Sequence, residues 1–213
     1  MVVCSLLLAC ESDTATFNKA EDFIPRDPLA VISVSNYETL KNDLTLNEII
    51  DRYKDKTMYK LLSGEHEILR HLTPSSKSLI SLHEGDEFAF ITRQDSTVLQ
   101  LDSVSNIISE TLNYENYSID RIQVEEKIAF SAIRDSFFLL TSSQRLLEEI
   151  LDGKTVPSED YQHTLKLGDD SELLITRNNS EVHLSDSLIE PLSEQISLNL
   201  TIAPEGITGY GVV

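Results

Sequence analysis

Between Tyr117 and Thr141 the chain passes through three stretches rich in apolar and β-branched residues, Tyr117–Val124, 127–133 and Phe137–Thr141, parted by short polar links. Glu125-Glu126 forms one link and Asp135-Ser136 the turn of the other. Links this short make consecutive strands antiparallel neighbours, because a parallel connection needs a crossover of about a dozen residues or more. A second hairpin precedes this meander, with Ser78–Leu82 and residues 88–91 on either side of Glu84-Gly85-Asp86. Residues 29–34 read as a buried strand and 98–101 as another. Further on, 173–176 and 182–184 read as short strands around Asn178-Asn179, 196–202 alternates apolar with polar, and 206–213 has the composition of a strand.

Helical spacing fills the gaps. Ser35 with Glu38 matches a capping box, followed by Tyr37, Leu40, Leu44, Ile49, Ile50 and Tyr53 on one stripe. Thr45 with Glu48 is a second cap and marks a break. Residues 58–72 carry Leu61, Leu62, Ile68, Leu69 and Leu72 up to a stop at Thr73-Pro74. Helices are also expected over 104–112, over 143–151 before Gly153, and over 188–194. A strand followed by a helix thus occurs three times, over 31–53, 98–112 and 138–151, with hairpins between. The pattern predicts an α+β fold: a largely antiparallel sheet with helices packed on one face.

The charge balance narrows the partners. With 36 acidic against 17 basic residues the formal charge is 17 − 36 = −19, which excludes a nucleic-acid binder, since phosphates are held by clustered Lys and Arg. Hydrophobic residues make up 40% of the chain, enough for a packed core. Only 7 glycines disfavour folds whose chemistry sits in Gly-rich phosphate loops. Residues 41–77 hold 7 basic and 6 acidic side chains, a net of +1, whereas 143–213 hold 4 and 13, a net of −9.

The opening, Met1-Val2-Val3-Cys4-Ser5-Leu6-Leu7-Leu8-Ala9-Cys10, is apolar and uncharged. A membrane-spanning helix needs about 20 apolar residues, so this run is far too short, but it fits the apolar region of a secretory signal. Leu7-Leu8-Ala9-Cys10 resembles the lipobox of bacterial lipoproteins, with Leu three positions before the cysteine and Ala directly before it. The resemblance implies that Cys10 carries a diacylglyceryl group, that residues 1–9 are a cleaved signal peptide, and that the membrane is a partner through the lipid. Glu11-Ser12-Asp13-Thr14-Ala15-Thr16 reads as a flexible tether, so residues 10–22 are taken as anchor and linker, and 23–213 as the α+β extracytoplasmic domain. The absence of Lys or Arg before the apolar run departs from the usual signal and points to a start upstream. The strand-like 206–213 points to a sheet that continues beyond Val213.

Phe138-Leu139-Leu140-Thr141-Ser142-Ser143, Leu146-Leu147-Glu148-Glu149-Ile150-Leu151 and the entry Ile24-Pro25-Arg26-Asp27 are similar to a class of extracytoplasmic bacterial proteins. That likeness implies an architecture and no activity.

Motifs for chemistry are few. His66-Glu67-Ile68-Leu69-Arg70-His71 resembles the metalloprotease helix His-Glu-x-x-His with one residue too many. Five positions turn a helix through about 500°, leaving the two imidazoles about 140° apart rather than on one face. His83, His163 and His183 are distant from one another in sequence. There is no Gly-x-Ser-x-Gly elbow, Cys-x-x-Cys or Walker loop, and an acylated Cys10 is no nucleophile. Glu84-Gly85-Asp86-Glu87 and Asp169-Asp170-Ser171-Glu172 read as solvated turns. The expectation is a lipid-anchored cell-envelope protein, outer-membrane, periplasmic or surface-facing, that is a non-catalytic binding or assembly module. It has Cys10 as its lipidation site and no catalytic residue, metal or cofactor, and its partner is an envelope protein or small ligand. The alternative is an envelope hydrolase, metal-assisted through His66, Glu67 and His71.

Overall fold

Ten antiparallel strands form one sheet in the computed structural model, which describes residues 17–52, 54–64, 68–101, 106–157, 161, 164–165, 172–178, 195–203 and 205–212. In chain order the elements are β1 (Ala30–Val34), α1 (Tyr37–Leu46), α2 (Glu48–Asp51), α3 (Thr57–Leu62), β2 (Ser78–Leu82), β3 (Phe88–Arg93), β4 (Ile107–Tyr114) and β5 (Tyr117–Val124). Then follow β6 (Lys127–Arg134), β7 (Phe137–Thr141), α4 (Gln144–Leu151), β8 (Leu173–Asn178), β9 (Gln195–Ala203) and β10 (Gly206–Val212). The strands lie in the order β10-β9-β8-β1-β2-β3-β7-β6-β5-β4. The expected α+β class and antiparallel sheet are both present.

Alternation along each strand sends side chains to two faces. On the front, Ile32, Ile80, Phe88, Phe90, Phe138 and Leu140 pack against Tyr37, Leu40 and Leu44 of α1 and Leu61 and Leu62 of α3. Tyr37 sets its ring edge-on to Phe90 at 5.4 Å and donates its hydroxyl to the Leu61 carbonyl at 2.8 Å. On the back, Val31, Leu79, Ala89, Ile91 and Leu139 pack against Leu146, Leu147, Ile150 and Leu151 of α4 and against Phe17, Phe23 and Ile24. The helices, expected on one face, divide between the two. The reason lies in the central strands: Phe-Phe-Leu-Leu-Thr of β7 and Ala-Val-Ile-Ser-Val of β1 are buried at every position, so both faces need a cover.

Several local expectations are revised. The cap of α1 is Asn36, whose side chain accepts from the Thr39 amide at 2.9 Å. The break after it falls at buried Asn47, whose Oδ1 accepts from Ile49 and Ile50 at 3.0 Å while its amide donates to Ala203 and Gly206 of the β9–β10 hairpin. The helix expected over 58–72 is instead α3 and a 3-10 turn, Leu69–His71. Gly64 ends α3 with φ +71, and a side chain there would press on Lys41 Cδ at 2.7 Å. Residues 98–101 make one isolated bridge, Leu72↔Leu99, rather than a strand.

The helix expected over 104–112 is replaced by β4, which pairs along its whole length with β5. Ile107, Ile108 and Leu112 have helical spacing, but the Glu115-Asn116 turn, with Glu115 at φ +50, folds the segment back on Tyr117–Val124. The tether expected over 10–22 lies outside the described residues as far as 16. From Phe17 the chain packs into the back core, and Ala20–Phe23 forms a 3-10 turn. Cys4, Cys10, His66, Glu67, His163 and His183 also lie outside the described residues, as do the expected strand 182–184, the helix 188–194, and Asp169, Asp170 and Ser171.

Candidate functional site

A cleft of about 410 Å³ opens on the front face between the segment 94–99 and strands β5, β6 and β7. The meander supplies its floor: Ser118 and Asp120 from β5, Ser131 and Ile133 from β6, Phe138 from β7. Asp120 faces Ser131 in register and accepts the Thr111 hydroxyl at 2.8 Å. Ile133 is 56% exposed and forms an apolar step in this polar floor.

The wall is fastened by a carboxylate. Asp95 accepts the Ser75 hydroxyl at 2.5 Å and amide at 3.3 Å, and the Thr97 amide and hydroxyl at 2.7 Å each. The hydroxyl bonds from Ser75 and Thr97 hold its pKa down to about 2. That carboxylate is consumed by the loop it builds, so Asp120 is the lining carboxylate left to meet a ligand. Gln94, Asn116, Ser118 and Ser131 add amides and hydroxyls. None of the lining side chains is His, Cys, Lys or Arg. Such a surface suits reversible hydrogen bonding to an uncharged or cationic group, and its volume lies in the range of small-ligand sites.

Arg134 joins this end of the sheet to the N-terminal segment. Its Nη1 donates to the carbonyls of Ile150 (2.9 Å) and Leu151 (2.7 Å) at the C-terminal end of α4, where a cation also meets the helix dipole. Its guanidinium lies 4.0 Å over the Phe17 ring and 5.6 Å from the Tyr117 ring, and Asp135 sits 3.5 Å from Nε. Tyr117 and Ala132 line the cleft as well, so Phe17 and the cleft share one end of the sheet, on opposite faces. Neither Arg134 nor the cleft was singled out from the sequence, where the one available signal was a basic residue closing an apolar run just before a turn.

The candidates for chemistry are placed differently. His71 ends the 3-10 turn; burial first, then Arg70 and Lys41, lower its pKa, and cationic neighbours disfavour a bound cation. Its sequence companions His66 and Glu67 are outside the described residues, and among the described residues no three His, Cys, Asp or Glu gather as a metal site. His83 Nε2 lies 3.0 Å from Ser81 Oγ, the geometry of a nucleophile and its base. Ser81 is wholly buried (0% exposed), however, and no substrate reaches it. Burial is also the main reason the His83 pKa is lowered, with Glu87 opposing; Glu87 pairs with Arg145 at 2.6 Å, which holds Glu149 at 2.8 Å. Glu84, Gly85 and Asp86 form an exposed turn, as expected. Glu172 accepts from the Ile202 amide at 3.0 Å through Oε2, and burial, followed by the neighbouring Asp43, raises its pKa.

Over 87% of its length the chain is similar in fold to the Treponema protein TP0453, seen in two crystal forms. For crystal form III the identity is 11%, 75% of that chain is covered and the TM-score is 0.45; for form I the figures are 10%, 74% and 0.46. No protein-family model and no curated protein matches the chain. Among the described residues no helix is long and apolar enough to cross a membrane.

Proposed function

We propose that this chain is a lipid-anchored protein of the bacterial cell envelope whose folded domain acts by binding or assembly. The observation that carries the reading is Leu7-Leu8-Ala9-Cys10 at the end of an apolar opening. Two acyl chains or more on Cys10 supply durable membrane residence, because each buried methylene contributes about 0.8 kcal/mol and one chain alone is marginal. Phe17 follows Cys10 by seven residues, a reach of at most about 25 Å. The domain is thereby held with the end that bears Phe17, and hence the cleft, toward the bilayer. The cleft supports the binding part of the reading: hydroxyls, amides and Asp120 around exposed Ile133 suit a neutral or cationic partner held without covalent chemistry.

Replacing Cys10 by Ser in the native host tests this. The protein is expected to move from the membrane fraction to the soluble fraction, and mass spectrometry of the unaltered protein is expected to show a diacylated Cys10 as the first residue. A membrane fraction unchanged by Cys10→Ser sinks the reading.

A further inference from the structure

Three front-face residues stand in one row across neighbouring strands: Thr111 of β4 is in register with Asp120 of β5, and Asp120 with Ser131 of β6. Thr111 donates its hydroxyl to Asp120 Oδ1 at 2.8 Å and so fixes the carboxylate from the side of β4. Toward β6 the cleft passes over Asp120 and Ser131, and Asp120 Oδ2 has no hydrogen-bond partner among the described residues. Ser131 is 4% exposed, and its hydroxyl has no partner among the described residues either. Side-chain polar groups buried to that degree are as a rule hydrogen-bonded, and this one lines a cavity.

We infer that the cleft is a site for a neutral saccharide, one hydroxyl of which bridges Asp120 and Ser131; this rests on the binding reading proposed above and gives it a ligand class. A carboxylate only accepts, and the Ser131 proton lacks an acceptor. The ligand group that satisfies both donates and accepts at a single atom, as a sugar hydroxyl does. An ammonium donates alone and leaves the Ser131 proton unbonded. A phosphate or carboxylate accepts alone and meets Asp120 as a like charge, with no Lys, Arg or His among the described lining residues to offset it. Gln94, Asn116 and Ser118 likewise each combine a donor and an acceptor in one side chain. Ile133 follows Ser131 by two residues on the same face of β6, and at 56% exposure it offers an apolar step to the C–H side of a pyranose ring. The backbone groups of the floor are spent in the ladders of β4 with β5, β5 with β6 and β6 with β7, so an extended peptide finds no row of them to pair with.

Saturation-transfer NMR of the full chain with glucose, galactose, N-acetylglucosamine and their neutral disaccharides, titrated into the millimolar range, tests the site. Saturable binding of at least one of these sugars is expected. Asp120→Asn keeps the shape but turns an acceptor oxygen into a donor, and is expected to weaken that binding at least about tenfold. Ser131→Ala is expected to weaken it about threefold or more, and both variants should melt close to the parent. Glu110→Gln, next to Thr111 on β4 but on the other face, is expected to leave the affinity unchanged. The inference is overturned if none of these sugars binds, if binding is indifferent to Asp120→Asn or Ser131→Ala, or if Glu110→Gln lowers it as much. Putrescine is titrated alongside: its binding in place of the sugars, lost with Asp120→Asn, overturns the saccharide class and leaves the cleft a binding site. Membrane release by Cys10→Ser is read independently, so a failed sugar titration strikes this inference and not the anchor.

Discussion

The middle of the sheet and its β4–β6 wing are made of the same kind of strand and do opposite things. β1 and β7 are buried at all positions and β3 at all but Arg93, with cores on both faces. β4 has no buried position, and β5 and β6 alternate between buried and open ones. Both regions are equally regular in register, so hydrogen bonding between strands does not distinguish them. What differs is whether a second layer lies on top. The middle is held by burial, and the wing holds out side chains for contact; the cleft lies where one passes into the other, over β5, β6 and β7.

The contrast is broken if truncation costs the same in both regions. Phe90→Ala, which removes a wholly buried ring beneath Tyr37, is expected to cost about 3–5 kcal/mol by chemical denaturation. Ile108→Ala on β4 is expected to cost about 0.5 kcal/mol or less. Equal losses would mean that the wing has a cover of its own.

The junction offers an intermediate effect. Arg134→Ala strips two carbonyl bonds from the end of α4 and the cation from Phe17, and is expected to cost about 2 kcal/mol. Arg134→Lys should recover part of that, since a single ammonium replaces the charge but not the forked geometry. Susceptibility of the 17–23 segment to proteolysis should rise with Arg134→Ala; an unaltered cleavage rate would show that Arg134 does not hold it.

The smallest expected effect sharpens the comparison at the other side, where α1 meets β8 and β9. The pKa of Glu172 is raised in the fold, so its stabilising contribution is complete below the unfolded value of 4.5 and is lost as pH rises through the folded one. At neutral pH a charged Glu172 beside Asp43 is a liability. Glu172→Gln keeps an acceptor for the Ile202 amide and removes the charge, and is expected to raise the melting temperature at pH 7 with no gain below about pH 4. A gain that persists in acid would assign the effect to something other than the carboxylate charge.

Much of this was readable in the residues, and the failures have causes. The meander of β5, β6 and β7 follows from apolar runs set two or three residues apart. α4 follows from Ser143, Gly153 and a stripe of Leu and Ile between them. β4 was mistaken for a helix because its Ile and Leu spacing fits both periods. Its turn also carries no glycine or proline: Glu115 takes the left-handed conformation that glycine would otherwise announce. The helix over 58–72 was overextended because Gly64 was passed over as a breaker. The cleft was invisible, since Asp95, Asp120 and Ser131 are ordinary turn and strand residues until Ser75 is brought to Asp95 and the pairing of β5 with β6 sets Asp120 beside Ser131.

The residues alone determined the class of fold, a formal charge of −19, and the setting of Cys10 on which the proposed acylation rests. These depend on local spacing and on sums over composition, which need no knowledge of distant partners. The tertiary structure decided which face each helix covers, that Ser81 is buried beside His83, and where a cleft opens. Those depend on residues far apart in sequence, Arg134 with Phe17 or Asn47 with Ala203, whose proximity is set by the packing of the whole sheet and by no segment of it.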